Sequence, residues 1–285
     1  MIGMVGINIG YQATIHHLAL LVAMDNQLLP EGSNLCPPFS SAVSEIPALK
    51  NHTTHGPTPV PGVVTPCNPD AIFVCAEPLI DFVHKGLDAK IVAGVNMCGS
   101  SLVTKQPYKE PGDLEGLLVG INYGSFQEIF MRKFIQDNQI NNVRLVDASN
   151  FPDRAQAAFM AEPSATQAKP SKGYITTSED MLGRTHACCG IAVRGDLIKN
   201  HRANVKQLVD AQKKATAIIQ KNSADKNETV FRKYTNISWA GAALKKWKPS
   251  WWISDPSELI KDTMDYAKFL GISVAQNDLF DTSFY

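Results

Sequence analysis

The sequence predicts an α/β fold, and three observations carry that expectation. Short apolar runs of strand length alternate with amphipathic helical stretches along most of the chain. Of its 285 residues, 44% are hydrophobic, and 27 Lys+Arg balance 27 Asp+Glu to a formal net charge of zero. A chain of this length removes roughly three quarters of its unfolded surface from water without a disulfide or metal staple. The same balance argues against a disordered polyelectrolyte and against nucleic-acid binding through bulk charge. The longest purely apolar run, Leu18–Met24, has seven residues, far short of the roughly twenty that cross a bilayer.

Taken in order, residues 4–9 read as a strand, followed by a turn to Ile15 and a helix over about His16–Leu28. Residues 30–70 hold nine of the 17 prolines, so a large ordered loop is expected there, with one short helix near 40–50. Alternation resumes with strand Ala71–Cys75, helix Pro78–Lys85 and strand Lys90–Val95. Strand Val119–Asn122 leads into a helix over Phe126–Asn138, where Ser125 and Glu128 have capping-box spacing. Strand Val143–Asp147, helix Arg154–Ala161, strand Gly173–Thr177 and strand Ala187–Arg194 follow. Helix Arg202–Asn222 sets Val205, Leu208, Val209, Ala215 and Ile219 on one apolar stripe, and three more helices are expected over 227–234, 237–246 and 257–270. Such alternation predicts mostly parallel sheets flanked by helices, with ligand loops beyond the carboxyl ends of the strands.

Several phrases together resemble the substrate-binding proteins of ABC importers of the nitrate/sulfonate/taurine type, which include thiamine-pyrimidine binders. They are Ile9–Ala23 (IGYQATIHHLALLVA), Asn68–Pro78 (NPDAIFVCAEP), Ile91–Val103 (IVAGVNMCGSSLV), Glu162–Ala168 (EPSATQA) and Cys188–His201 (CCGIAVRGDLIKNH). The resemblance covers the chain except residues 30–67, where the proline-rich loop replaces the family's usual strand and helix. It implies a two-lobed, periplasmic-binding-protein-like (type II) fold, with 1–97 and 193–285 forming a discontinuous lobe one and 98–192 forming lobe two. A small-molecule ligand is then expected between lobes that close by hinge bending. The implied role is the extracytoplasmic solute-binding component of an ABC importer, a monomer that delivers a sulfonate, nitrate-like or pyrimidine-class solute to a membrane permease. No chemistry, cofactor, metal or nucleic acid is expected.

The N-terminal residues lack the pattern of a secretory signal, which fits either cytoplasmic residence or a signal removed from the mature protein. The six cysteines (Cys36, Cys67, Cys75, Cys98, Cys188 and Cys189) are too sparse for a disulfide scaffold and lack paired CxxC spacing. They leave the redox compartment open.

Candidate ligand-binding residues follow from chemistry and from the resemblance. Gly99, Ser100 and Ser101 next to Cys98, and Gly124 with Ser125 next to Tyr123, have the form of helix-start loops that offer N–H and hydroxyl donors to an anion. For Ser125 the competing role is ordinary capping. The resemblance puts Gln12, His16 and His17 at the mouth of the cleft, where one histidine can face ligand while the other packs. Glu77 follows an apolar strand and could accept hydrogen bonds from a solute, or serve as a helix-start acid. Cys75, Glu162, Ser164 and Cys188 complete the set.

Cys188, Cys189, His186, Cys98 and Cys75 invite a metal reading as soft ligands, opposed by the awkwardness of adjacent cysteines on one ion and by the habitual burial of free cysteine. The same pair resembles the cysteine run of fungal-type hydroxymethylpyrimidine phosphate synthases, with His17 where their consumed histidine lies. Three of five run positions differ, so a thiamine-biosynthetic enzyme stands as the alternative. Trp239, Trp247, Trp251 and Trp252 are expected to pack terminal helices rather than cover ligand. Among the arginines, only Arg184 is expected in a cleft loop.

Overall fold

The structure is a computed structural model describing residues 6–50, 67–169, 173–237 and 240–285. The expected strand start at residues 4 and 5, and Trp239, lie outside the described residues. In chain order the first elements are β1 (Asn8–Gly10), α1 (Leu18–Asp25), β2 (Asn34–Leu35), α2 (Ala42–Lys50), β3 (Ala71–Cys75), α3 (Ala76–His84) and β4 (Ala89–Met97). Next come β5 (Ser100–Thr104), β6 (Leu118–Ile121), α4 (Phe126–Asp137), β7 (Arg144–Asp147), β8 (Ala157–Ala161), α5 (Ser164–Ala168), β9 (Tyr174–Thr177) and α6 (Ser178–Leu182). The chain closes with β10 (Ala187–Arg194), α7 (Gly195–Asn200), α8 (Arg202–Lys221), α9 (Ala224–Thr235), α10 (Gly241–Leu244), α11 (Ser257–Phe269) and α12 (Gln276–Leu279).

The strands form two five-stranded sheets, β2-β1-β3-β10-β4 and β7-β6-β8-β5-β9, each flanked by helices. This is the two-lobed architecture the sequence predicts. Both sheets are mixed rather than mostly parallel. β10 runs antiparallel to β3 and β4, and β5 runs antiparallel to β8 and β9. These are the strands that enter each sheet from the other lobe, so they arrive from the opposite end.

The chain crosses between the sheets at Met97–Ser100 and again between β9 and β10. By sheet membership the second crossing therefore precedes Ala187, whereas the expected boundary assigned 98–192 to lobe two. The seven buried residues Ala187–Val193 fill the centre of the first sheet between β3 and β4. The edge strand β4 is covered by bridges from Phe280 to Ile91 and Trp252 to Asn96, which shields its unpaired backbone groups.

Residues Leu18–Ala23 of α1 are buried throughout because the helix packs against α8 and α9. The expected α8 stripe is buried at all five positions. Two expectations fail. Residues 157–161 form a central strand, not a helix: the run Ala-Ala-Phe-Met-Ala pairs on both sides, with β6 and β5, and that pairing overrides the helical preference of alanine. The proline-rich segment contains a strand as well as the short helix expected near 40–50. β2 pairs with β1, and α2 forms with Pro47 inside it. Cys36 and Cys67 join the two ends of this segment as a disulfide.

Candidate functional site

A cavity of about 580 Å³ lies between the lobes. The first lobe contributes Gln12, Thr14, His16, His17, Phe39, Ser40, Ser41, Cys75 and Cys189. Across from them stand Asn122, Tyr123, Ser125, Phe126, Gln127, Asp147, Glu162 and Ser164 of the second lobe. Eight of the thirteen expected residues thus meet in one space: Gln12, His16, His17, Cys75, Tyr123, Ser125, Glu162 and Ser164.

The loop from β1 to α1 sets the histidines. His17 Nδ1 accepts from the Gln12 backbone N–H at 2.9 Å, which leaves the proton of the neutral ring on Nε2 as a donor. Burial pushes the His17 pKa down to about 3, so the ring is neutral. The Gln12 side chain donates to Glu45 at 2.8 Å, and burial holds the Glu45 carboxyl well above the usual range. A neutral acid and a neutral imidazole therefore back this wall.

His16 is oriented oppositely. Its Nε2 lies 2.8 Å from the Gly99 carbonyl oxygen, an acceptor, so Nε2 carries the proton and Nδ1 presents a lone pair. The ring is also held edge-on by Trp247, centroids 5.2 Å apart at 80°. Trp247 in turn stacks on Trp252 and meets Trp251 edge-on. The described tryptophans thus pack, as expected, and Trp247 positions His16.

The second lobe presents the N-terminus of α4. Ser125 is its N-cap, yet its hydroxyl makes no capping bond and donates instead to the Asn122 carbonyl. Glu128 reaches back to the Gly124 N–H at 2.7 Å rather than to that of Ser125. The expected capping box is therefore only half formed and shifted by one residue. The positive end of a 12-residue helix faces the cavity with Ser125, Phe126 and Gln127.

Glu162 ties the lobes together. Its carbonyl accepts from the Thr14 hydroxyl at 2.9 Å, while its carboxylate accepts from the Ser101 hydroxyl at 3.1 Å and the Thr166 N–H at 3.0 Å. Its own N–H donates to the Gly99 carbonyl at 2.9 Å. Lys248 and Glu179 add an ion pair between the lobes.

Five expected residues do not line this cavity. Gly99 sits behind His16 at the crossing, and Ser100 opens β5 rather than a helix, its hydroxyl accepting from the Gln127 amide at 2.9 Å. The expected anion loop at 99–101 is thus the start of a buried strand. The Cys98 thiol is buried, which pushes its pKa up to about 12. Glu77 lies in the first turn of α3 with both carboxyl oxygens buried and without a partner among the described residues. Cys188 is buried, and Cys189 takes its place at the cavity wall. Arg184 does not line the cavity either: it forms a two-oxygen pair with Asp262 of α11. Sequence reasoning missed Thr14, Ser40, Ser41, Asn122, Gln127 and Asp147 as wall residues. Thr14 lies in the strand-to-helix loop already singled out and could have been found, whereas Ser40 and Ser41 sit in the proline-rich segment, where no pattern marked them.

The first-lobe floor gathers three thiols. Cys75 and Cys189 are directly opposite on β3 and β10, with sulfurs 3.3 Å apart. The Cys188 sulfur is 3.6 Å from that of Cys189 and 3.3 Å from His16 Nδ1.

No family model matches the chain, and the search of curated proteins found no match. Solved structures do share its fold. The ligand-binding component of an ABC-type import system from Staphylococcus aureus, described with zinc bound, matches with a TM-score of 0.72 at 16% identity, covering 98% of this chain and 97% of that one. The periplasmic aliphatic sulphonate-binding protein SsuA from Escherichia coli gives 0.71 at 15%, covering 93% and 86%. A Candida albicans protein, described as defining a new family with the generic periplasmic-binding-protein fold, gives 0.63 at 11%, covering 96% and 93%. At these identities the likeness establishes the fold.

Proposed function

We propose that this chain is the extracytoplasmic solute-binding component of an ABC importer, a monomer that captures a small polar organic solute by lobe closure and presents it to a membrane permease. The observation that carries this reading is the cavity of about 580 Å³ walled by both lobes. That volume lies in the usual range for small-molecule sites, and contacts to both lobes are what make a ligand favour one lobe arrangement over another. The import-system proteins that share the fold, including a sulphonate binder, agree with it. So does the Cys36–Cys67 disulfide, since disulfides persist in oxidising compartments.

The wall also narrows the solute. Among the described residues lining the cavity there is no lysine or arginine, so an oxyanion would have only the α4 N-terminus and neutral donors to balance it. Hydroxyl, amide and imidazole groups beside Phe39 and Phe126 suit a flat, hydrogen-bonding organic molecule of the pyrimidine class better than a bare nitrate-like ion.

The test is a thermal-shift panel of pyrimidines, sulfonates and carboxylates, followed by mass spectrometry. A ligand at a hundred times its dissociation constant stabilises the fold by about 2.7 kcal/mol, or about 4 °C for a chain of this length. A reversible shift with one solute class and unchanged protein mass supports the reading. Turnover of the solute, or a permanent mass change at His17, would replace it with the pyrimidine-synthase alternative.

A further inference from the structure

We propose that His16, Cys188 and Cys189 bind one soft d10 cation, zinc(II) or copper(I), at the floor of the interlobe cavity.

Adjacent residues on a regular strand point to opposite faces of the sheet, which would keep two neighbouring cysteines off a common ion. β10 is not regular here. Its register against β4 moves from Ala187↔Met97 to Cys189↔Asn96, two residues on one strand against one on the other. The extra residue is Cys188. A bulge of this kind re-aims a side chain, and both sulfurs consequently reach the same imidazole nitrogen, at 3.3 and 3.7 Å.

The spacing suits coordination. A tetrahedral ion with bonds of about 2.3 Å to sulfur and about 2.0 Å to nitrogen separates its sulfurs by about 3.8 Å and sulfur from nitrogen by about 3.5 Å. Here the Cys188 and Cys189 sulfurs stand 3.6 Å apart and lie 3.3 and 3.7 Å from His16 Nδ1. His16 Nδ1 and the sulfurs of Cys188 and Cys189 all lie within 4.8 Å of one another. The Cys75 sulfur, on β3, stands beside this trio, 3.3 and 4.0 Å from its two sulfurs.

The histidine is prepared for the role. Its Nε2–H is committed to the Gly99 carbonyl, the outer hydrogen bond that orients metal-bound imidazoles and fixes their tautomer. Asn96 Nδ2 lies 3.4 Å from Nδ1 but closer to the carbonyls of Met97 and Cys98, at 3.2 and 3.1 Å. Its two amide hydrogens are therefore taken up there, and Nδ1 is left facing sulfur. Thiolate and imidazole donors without a carboxylate select soft ions over magnesium or calcium. Binding transfers the thiol protons to solvent. Because His16, Cys75 and Cys189 also line the cavity, the ion would be open to it on one side.

This inference does not rest on the organic-solute reading, and its test contains no organic solute. The full chain, reduced with a phosphine, is equilibrated with zinc(II), or anaerobically with copper(I), against a chromophoric chelator, then desalted and assayed for metal. One ion per chain is expected, and the two chelator competitions distinguish zinc from copper. Cys188→Ser with Cys189→Ser should weaken retention at least a hundredfold, and His16→Gln at least tenfold. Cys98→Ser, outside the cluster, should leave it unchanged. Cobalt(II) in the unmodified chain should give a thiolate-to-metal charge-transfer band, a readout that needs no variant to fold. Failure to retain a stoichiometric ion, cobalt bound without that band, or full retention by the double serine variant would each overturn the proposal.

Discussion

Replacing Gly99 by alanine tests how the crossing between lobes holds the cavity. Gly99 has φ +97, and a Cβ there would lie 2.5 Å from Trp247 Cη2, 2.9 Å from His16 Cε1 and 3.0 Å from His16 Nε2. Neither ring can yield freely, because Trp247 is stacked among Trp251 and Trp252 and His16 is buried against the Gly99 carbonyl. The backbone conformation contributes about 1–3 kcal/mol of strain, and forcing a methyl into a filled space contributes about 1–3 kcal/mol more. A loss near the middle of the sum, about 4 kcal/mol, is expected. Unfolding entropy of about 2.1 cal/mol/K per residue converts this to a fall in Tm of about 7 °C for 285 residues. The assay is urea and thermal unfolding followed by tryptophan fluorescence, with Gly86→Ala as the control. Gly86 has φ +92 but nothing within 4 Å of the added methyl, so it should lose only the backbone part. If the two variants lose the same stability, the packing argument is wrong. If Gly99→Ala melts within about 1 °C of the parent, the whole argument is.

Other outcomes follow from the same geometry. Cys36→Ser with Cys67→Ser opens a loop of sequence separation 31 and should lower stability by about 3.7 kcal/mol on the chain-entropy relation, read by urea melts without reductant; because Phe39, Ser40 and Ser41 hang from that loop, solute affinity should fall as well. Thr14→Val removes the hydroxyl bond to the Glu162 carbonyl, worth about 1 kcal/mol, and should weaken solute binding about fivefold while small-angle scattering shows a more open average shape. The pKa of Glu45 is raised by burial above the usual carboxylate value of 4.5, so the folded state holds a proton that the unfolded state releases, and stability falls as pH rises from 4.5 toward the folded pKa. Glu45→Gln removes that loss while keeping an acceptor for Gln12, so its stability relative to the parent should grow as pH rises above 4.5; a pH-independent difference in urea melts would refute a buried neutral acid.

What the sequence disclosed and what it withheld divide along a physical line. Strands β3 and β10 were legible to the residue because they are continuous apolar runs buried on both faces, bounded by polar or turn-forming neighbours. The α8 stripe was legible because its period matches 3.6. β8 was not, because Ala157–Ala161 is as good a helix as a strand until β5 and β6 are beside it. Of the eight wall residues found, Tyr123 and Ser125 follow from the strand-to-helix transition that marks the ligand end of an α/β sheet, whereas Gln12, His16 and His17 came from the family resemblance. Glu77, which follows an apolar strand, and Cys188 were also expected on that wall and are instead buried away from it. One side chain turns under the floor in the first turn of α3, and the other is displaced by a shift in strand register.

That register shift is the decisive case. From spacing alone, adjacent cysteines argue against a shared ion, since strand geometry separates them. Inserting one residue into β10 between its pairings with Met97 and Asn96 reverses the conclusion without changing a single side chain. A bulge depends on how β4 and β10 align across ninety residues of intervening chain, so no local pattern at Cys188–Cys189 could announce it. The converse also holds: removing the bulge by deleting Cys188 would leave Cys189 paired with Cys75 on β3 but part it from the geometry that brings two sulfurs to His16. The chemistry of this floor therefore belongs to the strand alignment as much as to the cysteines, and His16 joins it only because the Gly99 carbonyl takes its other nitrogen.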